Sequence, residues 1–115
     1  PHPSDVHTDH RIVFDAAASC TKWFRYPSVK RVLAYETLSE SDFGLVASPR
    51  FTPNYFVDIE PFLEGKLQAM AVYESELGDF PFPRSHGAIR ALAKVRGAAS
   101  GYVAAEAFEL LRERS

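Results

Sequence analysis

The stretch VKRVLAYET, Val29 to Thr37, constrains this chain most. Its centre, Val32-Leu33-Ala34, is a short continuous apolar run, and such a run suits a strand buried on both faces. A second short strand is expected over NYFVDI, Asn54 to Ile59. Around them lie helical patterns. Val13, Ala17, Cys20 and Phe24 share one face of a predicted first helix that begins near Asp9, with Thr8 or Asp9 as its cap. Pro27 closes it by driving Tyr26 out of helical geometry. Pro61 opens a second helix with Leu63, Leu67, Met70 and Leu77 as its apolar stripe and Gly78 as its stop. A third runs from about Ser85 with Ile89, Leu92 and Ala93 inward, ending at Gly97. The tail YVAAEAFELLRERS has helical propensity, with a closing strand as the alternative. Ser39 to Pro53 reads as surface loop. Helix, strand, loop, strand, helix, helix predicts an α/β or α+β chain with too few strands for a self-sufficient parallel sheet.

At 115 residues the chain is one domain or part of one. A net charge of −2 offers no electrostatic footprint for nucleic acid or an anionic membrane. No apolar run reaches the length of a membrane span, and no secretory pattern is visible. The single cysteine, Cys20, forms no internal disulfide and no cysteine-based zinc site. Together these point to the cytoplasm. The chain opens on Pro1 and runs at once into its densest polar cluster, which suggests a piece of a longer protein.

That cluster is SDVHTDHR, Ser4 to Arg11. Two histidines three residues apart straddle one helical turn and can face the same point. If His10 holds a metal, His7 lies within reach of whatever the metal holds, and Asp9 is close enough to fix a ring tautomer. The plainer alternative has Asp9 capping the helix and both rings solvated; the pattern alone does not choose between them.

The segment PHPSDVHTDHR resembles the second motif of the LmbE/PIG-L family of zinc-dependent N-deacetylases, loosely His-x-Asp-His-Arg. NYFVDIEPFLEGKLQAMAVYESE is similar to that family's aromatic–Asp-Ile segment and the lysine-bearing helix after it. RSHGAIRALAKVRGAASGYVAAEAFELLR resembles its closing region, where Arg-Gly precedes Ala-Glu-Ala-Phe. The resemblance implies a Rossmann-like α/β fold of which this chain is the C-terminal portion, and a bound zinc ion. It implies that His10 ligates zinc, that His7 stabilises the tetrahedral intermediate or acts as general acid, and that Asp9 pairs with His7. It also implies two further ligands and a general base on a His-Pro-Asp-Asp motif outside this chain. HPSD, at His2 to Asp5, differs from that motif at its third position and lacks the preceding strand, so His2 is read as a loop residue.

The function so implied is removal of the acetyl group from an N-acetylated sugar conjugate, with this chain inactive by itself. Some relatives form homo-oligomers, so self-association stays open. Asp5 is expected at the substrate or behind the ligands, Glu36 with Thr37 in the cleft because they end a central strand, and Arg84 against a phosphate or carboxylate of the substrate. Arg50 and His86 are weaker candidates, read as surface residues. Trp23, Phe24 and Tyr26 read as core packing rather than a sugar platform, and Cys20 as an inward apolar filler. Two alternatives stand beside the deacetylase: hydrolysis of another amide, and a non-catalytic module that binds a sugar or a protein.

Overall fold

A computed structural model describes residues 1–45 and 50–115. The elements run α1 (Thr8–Ser19), β1 (Arg31–Tyr35), β2 (Tyr55–Asp58), α2 (Leu63–Ala71), α3 (His86–Ser100) and β3 (Ala105–Glu113), with single turns of 3-10 helix at Glu60–Phe62 and Glu74–Glu76. The three strands form one sheet in the order β1-β3-β2. The chain divides into two compact units, one of residues 1–55 and 108–115, the other of residues 56–107.

In the first unit β1 pairs antiparallel with the second half of β3, from Tyr35 opposite Phe108 to Arg31 opposite Glu113, and the latter two form an ion pair. Val32 faces Arg112 and Leu33 faces Leu110, so Leu111 is an extra residue, a bulge in β3. α1 begins at an unusual cap. His7 has extended backbone, and its ring accepts the Asp9 N–H. The helix ends early because the Ser19 and Thr21 hydroxyls bond back to Ala16 O (2.7 Å) and Ala18 O (2.8 Å), satisfying carbonyls of the last turn.

No residue of α1 is buried. The expected stripe of Val13, Ala17, Cys20 and Phe24 is therefore corrected, since all four are exposed. Phe14, Ala17, Ala18 and Thr21 instead line a small groove with Val32, Leu33 and Leu111. These four also follow helical spacing. Because the helix stops at Ser19, Phe24 never joins its face. Trp23 and Phe24 are each 63% exposed and meet edge to face, so neither is core. Cys20, at the helix end, is exposed too, not a buried filler.

The second unit is built on Ile59, Leu63, Ala93 and Ala104. α2 contributes Leu63 and Leu67, one turn apart. It ends at Ala71, well short of Gly78, whose missing side chain makes room for the Phe82 ring. α3 buries Ile89, Ala93 and Gly97 in a single row. Ser85 caps its start by accepting the Ala88 N–H (3.1 Å). Its end lies beyond Gly97, at Gly101, whose φ of 82° only glycine adopts cheaply. The chain then enters β3, so the tail is strand despite its helical propensity. The Ile59 N–H donates to Ala104 O (3.0 Å) just before β3 begins.

Of the loop expected over Ser39 to Pro53, the part at 46–49 lies outside the described residues.

Candidate functional site

The polar cluster at the start of the chain is held from three directions within the first unit. His2 is 1% exposed. Its Nδ1 accepts the Ser4 N–H at 3.2 Å and lies 2.6 Å from Ser4 Oγ. A neutral imidazole with an accepting Nδ1 carries its proton on Nε2. That nitrogen lies 3.3 Å from a carboxylate oxygen of Glu109, on β3. Phe51 stands edge-on to the ring. His2 is thus no ordinary loop residue. It fastens the incoming chain to the middle strand.

Asp5 is the next anchor, 2% exposed. A carboxylate so buried needs hydrogen bonds to replace its water. Ser41 Oγ donates to its Oδ1 at 2.6 Å, and His10 Nδ1 lies 2.7 Å from its Oδ2. Ser41 belongs to the turn directly after β1, which closes through the Glu40 and Ser41 amides on Thr37 O. The same turn accepts the Val6 N–H on Glu40 O. The site therefore sits at the carboxyl end of β1.

Opposite hydrogen bonds give the two adjacent histidines opposite tautomers. His10 donates from Nδ1 to Asp5, and in the neutral ring this leaves the lone pair on Nε2. His7 accepts the Asp9 N–H on Nδ1 at 3.1 Å, which leaves a proton on Nε2. Their ring centroids are 5.5 Å apart, tilted by 35°. The pair thus offers one acceptor and one donor on neighbouring rings.

The two carboxylates meet their rings unequally. The Asp9 carboxylate is 3.9 Å from His7 Nδ1 and largely exposed, too far for a hydrogen bond. It is Asp9's backbone amide that holds His7, and the buried Asp5 that orients a ring, that of His10. Glu36 is half-buried immediately after β1. In the following turn Thr37 Oγ1 and Glu40 Oε2 are buried without a hydrogen-bond partner among the described residues. Each such atom costs about 1–3 kcal/mol unless a ligand or water pairs it. Arg84 belongs to the other unit. It bonds Glu76 through Nε to the carbonyl (2.8 Å) and through its guanidinium to the carboxylate (3.2 Å), and it lies over the Phe82 ring. Arg50 and His86 are exposed.

Ser41 and Glu109 are the residues that sequence reasoning passed over. Both are remote in sequence from the side chain they meet, Asp5 for Ser41 and His2 for Glu109. The only local hint is that Ser41 follows β1 by a few residues; that strand lies at an edge of the sheet with β3 in the middle, so Glu36 and Thr37 do not end a central strand as expected.

The donor chemistry of His10 fits one ligand position of a zinc site. A ligating histidine characteristically gives its other N–H to a carboxylate, and Asp5 takes that place. Hydrolytic zinc uses about three protein ligands, however, and the described residues gather no group of three histidine, cysteine or acidic side chains. No described helix is long and apolar enough to cross a membrane. No family profile, curated protein or solved structure matches the chain.

Proposed function

We propose that this chain supplies half of the active site of a zinc-dependent amide hydrolase of the LmbE/PIG-L kind, acting on an N-acetylated sugar conjugate. The observation that carries the reading is the pair of opposed hydrogen bonds on the two rings, a carboxylate at Nδ1 of His10 and a backbone N–H at Nδ1 of His7. A metal-assisted hydrolysis needs a lone pair to hold the cation and, beside it, an N–H to meet the oxygen that becomes negative. His10 and His7 have those two properties and lie side by side. The acetyl group and the sugar are supported by the resemblance of the three segments.

In this reading Asp5 fixes the His10 ring so that Nε2 is the nitrogen left to meet the cation. His7 donates its Nε2–H to the carbonyl oxygen as the amide carbon becomes tetrahedral. Zinc, when bound, would polarise that carbonyl and lower the pKa of a bound water enough to supply a nucleophile near neutral pH. The net reaction adds one water across the amide C–N bond, its hydroxyl going to the acyl carbon and its proton to the nitrogen, so the products are acetate and a free amine.

The test is metal content and acetate release, measured for the protein that carries this chain and for two variants. His10→Ala should lose zinc and activity together. His7→Ala should keep zinc and lose about 100- to 1,000-fold in rate, as removal of one oxyanion donor does. Unchanged zinc in His10→Ala refutes the ligand assignment. The 115-residue chain alone should bind zinc weakly and release no acetate; tight stoichiometric binding in equilibrium dialysis would overturn the division of the site into halves.

The exposure of Trp23 and Phe24 favours a second reading, a carbohydrate-binding module without catalysis. Trp23 is the only tryptophan, so its fluorescence reports directly. A saturable change with sugars that survives His10→Ala would favour this reading over the hydrolase.

A further inference from the structure

Ser41 lies in no motif of the sequence, yet it stands at the head of a continuous line of hydrogen bonds. We propose that Ser41 is a positioning residue that acts through Asp5 to hold the His10 ring in the tautomer with its proton on Nδ1. The inference rests on the role proposed for His10, but it concerns a property of the ring that exists without any metal.

The direction of each bond follows from the one before. The Thr37 N–H can only donate, and it does so to Ser41 Oγ at 2.8 Å. With a lone pair of the hydroxyl engaged there, the serine proton is free to turn to Asp5 Oδ1 at 2.6 Å. Asp5 Oδ2 then accepts from His10 Nδ1 at 2.7 Å. A free imidazole carries its single proton on either nitrogen. Here Asp5, which can only accept, makes the choice, and Ser41, itself held by a backbone amide, keeps Asp5 in the place where it meets Nδ1.

The relay depends on a turn of defined shape. Ser39 has a φ of 72°, a conformation uncommon outside glycine. Amides of Glu40 and Ser41 close the turn on Thr37 O at 3.1 and 2.9 Å. A side chain on Gly44 would come within 2.7 Å of Ser4 O, so the chain beyond the turn presses on the segment that carries Asp5. Ser41 is thus fixed from its own backbone, and Asp5 is not left to choose its orientation.

The experiment reads ring nitrogen NMR shifts of the isotopically labelled, metal-free 115-residue chain at a pH where the rings are neutral. The parent should show His10 protonated on Nδ1 and His7 on Nε2. Ser41→Ala should lower the ratio of the Nδ1–H to the Nε2–H form of His10 by about tenfold, the weight of one hydrogen bond to a charged group. The His7 ratio should stay as it is. Ser41→Thr, which keeps the hydroxyl, should restore the parent ratio. Should Ser41→Ala fail to fold, Ser41→Cys carries the same test, because its thiol donates weakly.

An unchanged His10 ratio in folded Ser41→Ala or Ser41→Cys would overturn the inference, as would Ser41→Thr behaving like alanine. Zinc binding separates this result from the functional proposal. A parent ring in the Nδ1–H form whose tautomer follows Ser41, in a protein whose zinc content ignores His10→Ala, would refute the ligand role and uphold the positioning role.

Discussion

Gly97 and Gly65 both sit inside helices, and alanine at the two positions should shift stability in opposite directions. In α3 a Cβ on Gly97 would lie 2.6 Å from Tyr102 O and 3.0 Å from both Val103 C and Ala104 N. All three are backbone atoms. That backbone is itself pinned, since the Tyr102 N–H donates to Gly97 O at 3.0 Å and Ala104 O accepts from Ile59. A clash with atoms that cannot rotate away is relieved only by moving the helix or the chain after it. Overpacking of this kind costs about 1–3 kcal/mol. Alanine's better helix propensity returns at most about 1 kcal/mol. With all three contacts on fixed backbone the overpacking cost lies at the upper end of its range, so Gly97→Ala should lose a net of about 2 kcal/mol, or roughly 8 °C in Tm for a chain near this size. In α2 a Cβ on Gly65 meets nothing within 4 Å. Gly65→Ala should be neutral or stabilise by up to about 1 kcal/mol. Thermal and urea unfolding, followed by circular dichroism, reads both variants against the parent. Gly97→Ala as stable as the parent would refute the close approach of α3 to residues 102–104. Equal losses at both sites would show that position in a helix, rather than the neighbouring backbone, sets the effect.

Three further outcomes are expected. His7→Ala should cost about 1 kcal/mol through loss of the α1 cap, and His7→Ser should recover that stability without recovering any catalysis; urea unfolding and acetate release, measured together, separate the two roles of this ring. His2→Ala should lose about 2–4 kcal/mol, because it opens a cavity and removes the hydrogen bond to Ser4 and the close contact with Glu109; an unfolding midpoint unchanged by His2→Ala would show that the anchor carries no stability. The hydrogen bond from Arg90 holds Glu64 below its ordinary 4.5, so this pair's stabilisation is complete above that value and is lost as pH falls through the lowered one. Carboxyl NMR should find the Glu64 midpoint below 4.5 in the parent and higher in Arg90→Gln, and a parent midpoint at or above 4.5 would count against the pair.

Much of the local structure is legible in the chain itself. Val32-Leu33-Ala34 reads as strand and is strand. Ser85 announces the third helix and caps it, because a hydroxyl at that place satisfies an amide that would otherwise have none. The misreadings share a physical origin. Two stripes of α1 obey helical spacing, and only the groove beside β1 and β3 selects Phe14 over Val13. Gly97 looks like a helix stop, yet its lack of a side chain serves a close approach, while Gly101 makes the turn. The tail favours helix by propensity, but it is paired with β1, and tertiary pairing outweighs a weak preference.

The candidate site divides in the same way. Spacing brings His7 and His10 onto neighbouring turns, because three residues make nearly one revolution of a helix. Sequence by itself therefore determined which two imidazoles share the site. Their chemistry was decided elsewhere. Ser41, far along the chain, orients the buried Asp5, Asp5 accepts a hydrogen bond from His10, and the amide of Asp9 donates one to His7. A ring tautomer depends on which partner reaches which nitrogen, and partners distant in sequence meet only once the chain has folded.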